Sequence, residues 1–160
     1  MPVSSKIANI LWWVVYCAAG LTLQRYFSGV DALVPGIILS CQEKRPQQTA
    51  WLCLAVILVQ EGTGSLDFGN AILWYGSLII FFHLGKLFFV TGSLFFVVLL
   101  SLLLCVAHPA ILYVTSSLQG LDINMQRLVG QAVAQALITP PLYATASLIR
   151  KRFISHEYGI

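Results

Sequence analysis

Charged side chains are what this sequence has least of. Across 160 residues there are nine Lys and Arg and six Asp and Glu, 9% in all, where a soluble domain carries roughly 25%. That supply cannot cover a water-facing surface. Net charge is +3, but no basic stripe exists, so nucleic acid is excluded as a partner. The four cysteines, Cys17, Cys41, Cys53 and Cys105, sit within or at the ends of apolar segments. They form no C-x-x-C or Cys/His spacing, which excludes a metal site and leaves packing as their role. Also lacking are a G-x-S-x-G turn, an H-E-x-x-H helix and a G-x-x-x-x-G-K-[ST] loop. Gly62-Thr63-Gly64-Ser65 is no phosphate loop: no strand precedes it, no lysine follows, and Glu61 and Asp67 repel an anion. The sequence therefore predicts neither an enzyme nor a bound cofactor.

What is abundant is hydrophobic side chain, 58% of residues, gathered into runs. A spanning helix needs about 20 apolar residues with its backbone bonded internally, and six candidate runs emerge. They are Ile7 to Leu23, Val30 to Cys41, Gln48 to Gln60, Asn70 to Gly85, Leu87 to Ser116 and Met125 to Ile149. The expectation is an all-α, polytopic membrane helix bundle of about six transmembrane helices, with residues 1–160 as a single integral membrane domain. The first run follows Lys6 like a signal peptide but lacks a small-residue cleavage site, and it reads as a retained span. The second and third runs are short enough to be re-entrant. The fifth, about 45 Å long if unbroken, calls for tilt or a break at Pro109. In the sixth, Pro140-Pro141 predicts a kink.

Lys and Arg set the orientation, because basic flanks stay in the cytoplasm. With an inside N-terminus, Lys6, Lys44, Arg45, Lys86, Arg150, Lys151 and Arg152 fall inside and only Arg25 and Arg127 outside. Both termini are thus expected on the cytoplasmic side, with Arg150-Lys151-Arg152 as a membrane-flank anchor.

Polar side chains within the runs are candidate functional groups. His83, one turn before Lys86, reads as an interfacial anchor. Ser101, Cys105 and His108 share a helix face, where His108 either binds a ligand or satisfies a neighbouring carbonyl. Arg127, Gln131 and Gln135 recur every four residues as one stripe, which must face protein, either within the bundle or on another membrane protein. Gly130 with Ala134 and Ala132 with Ala136 add small-xxx-small spacing.

Around Glu61 the pattern becomes more specific. An apolar run ends in an acid, a small-residue loop follows through Gly64 and Ser65, and Gly69 opens a new helix. This resembles the rod shape-determining protein MreD family, in which the acid is usually Asp. Leu23-Gln24 closing the first run, Asp31 before Ala32-Leu39, and the closing stretch from Arg127 through Pro140, Pro141, Leu142 and Tyr143 to Lys151 are similar to that family in the same order. The resemblance implies a non-catalytic protein of the bacterial inner membrane, working with MreC, the actin-like MreB filament and the peptidoglycan synthases of lateral-wall elongation. It makes Glu61, Gly64, Gly69 and Arg127 candidate interaction residues. Because Glu61 and Arg127 fall at the same expected depth, a pair between them is expected to tie the third and sixth spans, unless each meets a partner or a backbone donor. The competing expectation is a small-solute-binding subunit resembling those of energy-coupling-factor transporters, with Gln131, Gln135, His108 and Ser101 lining its cavity.

Overall fold

The computed structural model describes residues 3–27, 29–63, 69–120 and 124–158. These fold into six helices and no strand: α1 (Val3–Tyr26), α2 (Val34–Gln42), α3 (Pro46–Thr63), α4 (Asn70–Gly85), α5 (Leu94–Gln119) and α6 (Met125–Tyr158). Three of them contain stretches long and apolar enough to cross a membrane, Ile7–Tyr26, Leu94–Gln119 and Met125–Phe153, and α4 is a shorter apolar helix.

The distribution of side chains is the reverse of a soluble protein's. Ile10, Leu11, Val14 and Val15 of α1, Leu102, Leu103 and Val106 of α5, and Leu137, Leu148 and Ile149 of α6 are all exposed, while Ser40, Gln48, Ser101, Gln135, Thr139 and Arg150 are buried. Apolar surface on this scale on several helices costs far too much in water. Lipid is the solvent for which this surface is built.

The core is organised around α2, in which every residue from Val34 to Ser40 is buried. Trp13 and Tyr16 of α1, Leu52 and Val56 of α3, Trp74, Tyr75, Leu78 and Phe82 of α4, and Tyr143 and Ala146 of α6 join it in one apolar cluster. Gly36 allows α1 to approach closely, since a Cβ there would stand 2.2 Å from the Tyr16 ring. Pro35 lies in the first turn of α2, where its missing N–H is not needed. The helix ends at Glu43, with Lys44 in the left-handed region (φ 54), and Pro46 then opens α3.

At nine residues α2 is only about 13 Å long, too short for a hydrocarbon layer of about 30 Å. The run Val30 to Cys41 is not one helix but an irregular lead-in, turning at Ala32 and Leu33, followed by a short one. Asp31 near its start and Glu43 just past its end bond to Gln135 and Arg150 of α6, which lie about 22 Å apart at 1.5 Å per residue. The segment thus passes through most of the bundle, and its Asp31 end is recessed.

Two expected boundaries moved. The fifth run starts as a helix at Leu94 rather than Leu87, because the Ser93 hydroxyl accepts from Phe96 N and caps the first turn. It continues unbroken through Pro109 to Gln119, ending at Gly120 with φ 67, the left-handed cap glycine favours. Likewise α6 runs as one helix through Pro140 and Pro141.

Candidate functional site

Polar contacts collect at the two ends of the bundle. At the end bearing the basic tail, Arg150 is 4% exposed and its Nε donates to Glu43 Oε1 at 2.7 Å. The Arg150 Nη2 donates to Glu43 Oε2 at 3.2 Å and also to Asn9 Oδ1. Its guanidinium carbon lies 4.7 Å from the Trp12 ring centre and 5.4 Å from that of Trp13, within cation–π range. Gln48 completes the group, donating to Glu43 and accepting from Asn9. Arg150 is therefore not the flank anchor expected of it. It is a bolt joining α1, the α2–α3 turn and α6, whereas Lys151 and Arg152 are exposed.

At the opposite end the hub is Asp31, in the loop between α1 and α2. Its Oδ1 accepts from Gln24 Nε2 at 2.6 Å and from Leu33 N at 2.9 Å. Its Oδ2 accepts from Trp74 Nε1 at 3.0 Å and from the Tyr75 hydroxyl at 2.5 Å. The Asp31 peptide is held as well: its N–H donates to Gln135 Oε1 at 2.5 Å, and Gln135 Nε2 donates to its carbonyl at 3.1 Å. The Tyr16 hydroxyl donates to Ala32 O. A chain that leaves helical geometry inside a membrane protein must find partners for its freed N–H and C=O groups. Here side chains from α1 and α6 supply them. Gln135 itself is 3% exposed and extends the network to Thr139.

Beside this network lies a cavity of about 310 Å³, within the range of small-molecule sites. Asp31, Gln60, Asn70, Trp74, Tyr75, His108, Gln131 and Gln135 contribute to its walls. Two buried polar atoms there have no hydrogen-bond partner, Asn70 Oδ1 and His108 Nδ1. Gly29, at φ 95, lets the loop pass against Gln131, whose Cγ would stand 2.4 Å from a Cβ at that position. No family model, curated protein or solved structure matches this chain. The site must therefore be interpreted from its own chemistry.

Glu61 takes the backbone-donor alternative. Its Oε1 accepts from Gly69 N at 3.0 Å and Ala71 N at 2.9 Å, capping α4 at its positive end. Gly69 adopts φ 114 and offers no side-chain cap of its own, so the acid from α3 performs that job. Arg127 is exposed and forms no ion pair with Glu61, whereas Arg150 pairs with Glu43. The reason is depth. Arg127 lies eight residues, about 12 Å, beyond Gln135 along α6, whereas Glu61 adjoins Gln60, whose amide donates to Gln24 and Tyr75. Gly64 and Ser65 lie outside the described residues. Exchanging Glu61 for Ala is expected to lower stability by about 1 kcal/mol, the usual value of a helix cap. Thermal melts of the purified variant check this.

Gly69, Glu61 and the Gln131–Gln135–His108 group thus all border one end of the bundle. Ser101 does not join them, being buried on α5 with its hydroxyl bonded to Val97 O. Gly130 is exposed with nothing near a built Cβ, so the close-packing face of α6 is the Ala132 side. Nothing in the spacing of residues marked Asp31 as a hub. The signal was an acid placed directly before an apolar run too short to span.

Proposed function

We propose that the chain is a non-catalytic scaffold of the bacterial cell-wall elongation machinery, similar to MreD. It passes six times through the inner membrane with both ends cytoplasmic, and its partners are MreC and the elongation complex. The observation that carries this reading is that the positions bearing the resemblance are bonded to one another in pairs. Gln24 donates to Asp31, and Glu61 accepts from Gly69. Residues that look like family signature positions are thus framework positions of the bundle. A framework of that kind suits a protein whose work is to hold others in place.

The test is deletion of the gene in a rod-shaped host. Rounded cells without a new nutrient requirement are expected. Normal rods that now need an external vitamin would contradict the scaffold and favour the second reading, a solute-binding transporter subunit. One observation supports that second reading, namely the polar cavity in which Gln131, Gln135 and His108 converge.

A further inference from the structure

We propose that the cavity beside Asp31 binds a compact organic cation, an alkylammonium or guanidinium group. The inference rests on the cavity alone and stands whether the chain is a scaffold or a solute-binding subunit. Among the described residues Asp31 is the one carboxylate in the wall, the other titratable groups there are Tyr75 and His108, and no Lys or Arg lines it. All four donors to the Asp31 carboxylate are neutral: an amide side chain, a backbone N–H, an indole and a phenol. Those bonds hold the carboxylate in place, and none of the four donors is a cation. A carboxylate set into a membrane protein is ordinarily matched by a cation, and among the described residues no Lys or Arg bonds to it.

The remaining wall chemistry agrees. Asn70 Oδ1 is a buried acceptor without a donor, and His108 Nδ1 is likewise unpartnered. An incoming N–H group satisfies the Asn70 oxygen, and also the His108 nitrogen in the tautomer that carries its proton on Nε2. Trp74, packed edge-on to His108 at 4.8 Å, and Tyr75 supply aromatic surface suited to the carbon skeleton or charge of an amine. Anions are disfavoured twice over. Asp31 repels them, and the α4 N-terminus that borders the cavity already spends its Gly69 and Ala71 N–H groups on Glu61.

The cationic group has two possible sources, a free amine or a Lys or Arg side chain of a neighbouring protein. The experiment is isothermal titration of the full chain, purified in nanodiscs, with benzylamine and agmatine, against benzyl alcohol and benzoate as the neutral and anionic controls. Saturable binding of both amines is expected, with little from the controls. Asp31→Asn is expected to weaken amine binding by about tenfold or more, the scale of one charge-assisted contact. Because that variant perturbs the loop, Asn70→Leu provides a second reading. It removes an unpartnered acceptor while leaving the Asp31 bonds intact, and it also weakens the amines. A free amine as natural ligand gives tight binding of one of the probes. A side-chain source gives weak binding of both, together with a photo-crosslink from position 131 in intact membranes that maps to a Lys- or Arg-bearing peptide. Three results overturn the proposal: no saturable amine binding, controls that bind as well as the amines, or full amine binding by a folded Asp31→Asn protein.

Discussion

Replacing Asp31 by alanine is expected to destabilise the bundle by about 3 kcal/mol, more than any other single change at its end of the molecule. The carboxylate serves four donors on three different elements, Gln24 of α1, Leu33 N of the loop, and Trp74 and Tyr75 of α4. Each donor left unpaired in a buried site costs about 1–3 kcal/mol, and water entering the adjoining cavity recovers part of that sum. Asn in place of Asp keeps the shape and two acceptor positions but points an NH₂ group at the indole and phenol. Its cost is expected to fall below that of alanine, at about 1–2 kcal/mol. Gln24→Ala removes one donor and leaves the rest, so it should cost least. Thermal unfolding of the three purified variants gives the order, and equal melting temperatures for wild type and Asp31→Ala would contradict the hub.

At the other end, the Arg150–Glu43 bolt predicts an asymmetry. Arg150 is 4% exposed and Glu43 16%. Removing Glu43 strands a guanidinium that retains only Asn9 and the two Trp rings. Removing Arg150 leaves a carboxylate with more access to water and with Gln48 still donating to it at 2.7 Å. Glu43→Ala is therefore expected to cost about 3 kcal/mol and Arg150→Ala about 2 kcal/mol, at or below the usual range for breaking a buried pair. In a double-mutant cycle the coupling should be of order 1–2 kcal/mol. Arg150→Lys does not rescue fully, since an ammonium cannot reproduce the two-point contact with Glu43.

Why some of this was legible in the sequence and some was not follows from the range of the interactions. α4 starts at Asn70 and ends at Gly85, as its run of apolar residues predicts, because both limits are set by neighbours in sequence. The Glu61 turn was visible for the same reason, with acid and capped amides only eight to ten positions apart. The start of α5 was misplaced because Phe88 to Val90 are as apolar as the helix that follows, and only the Ser93 cap separates them. Pro109 did not end α5, since a helix in lipid has no water to take over its freed carbonyl groups and gains little by unwinding.

The two polar hubs were out of reach for a different reason. Asp31 meets Gln135 at a separation of 104 residues, and Glu43 meets Arg150 at 107. Periodicity on α6 could place Arg127, Gln131 and Gln135 on one face, but not tell how deep each lies against the loop it serves. The Arg150 assignment failed because a basic cluster at the end of a span has the same composition whether its first member turns inward or outward.

The proposed six-span topology puts the Glu61–Gly69 turn and the basic tail on opposite faces of a bilayer. Reporter fusions inserted between residues 64 and 68 and after Ile160 measure that directly. An external signal is expected from the first and a cytoplasmic signal from the second, with α4, α5 and α6 crossing between them. Signals from the same side would contradict it.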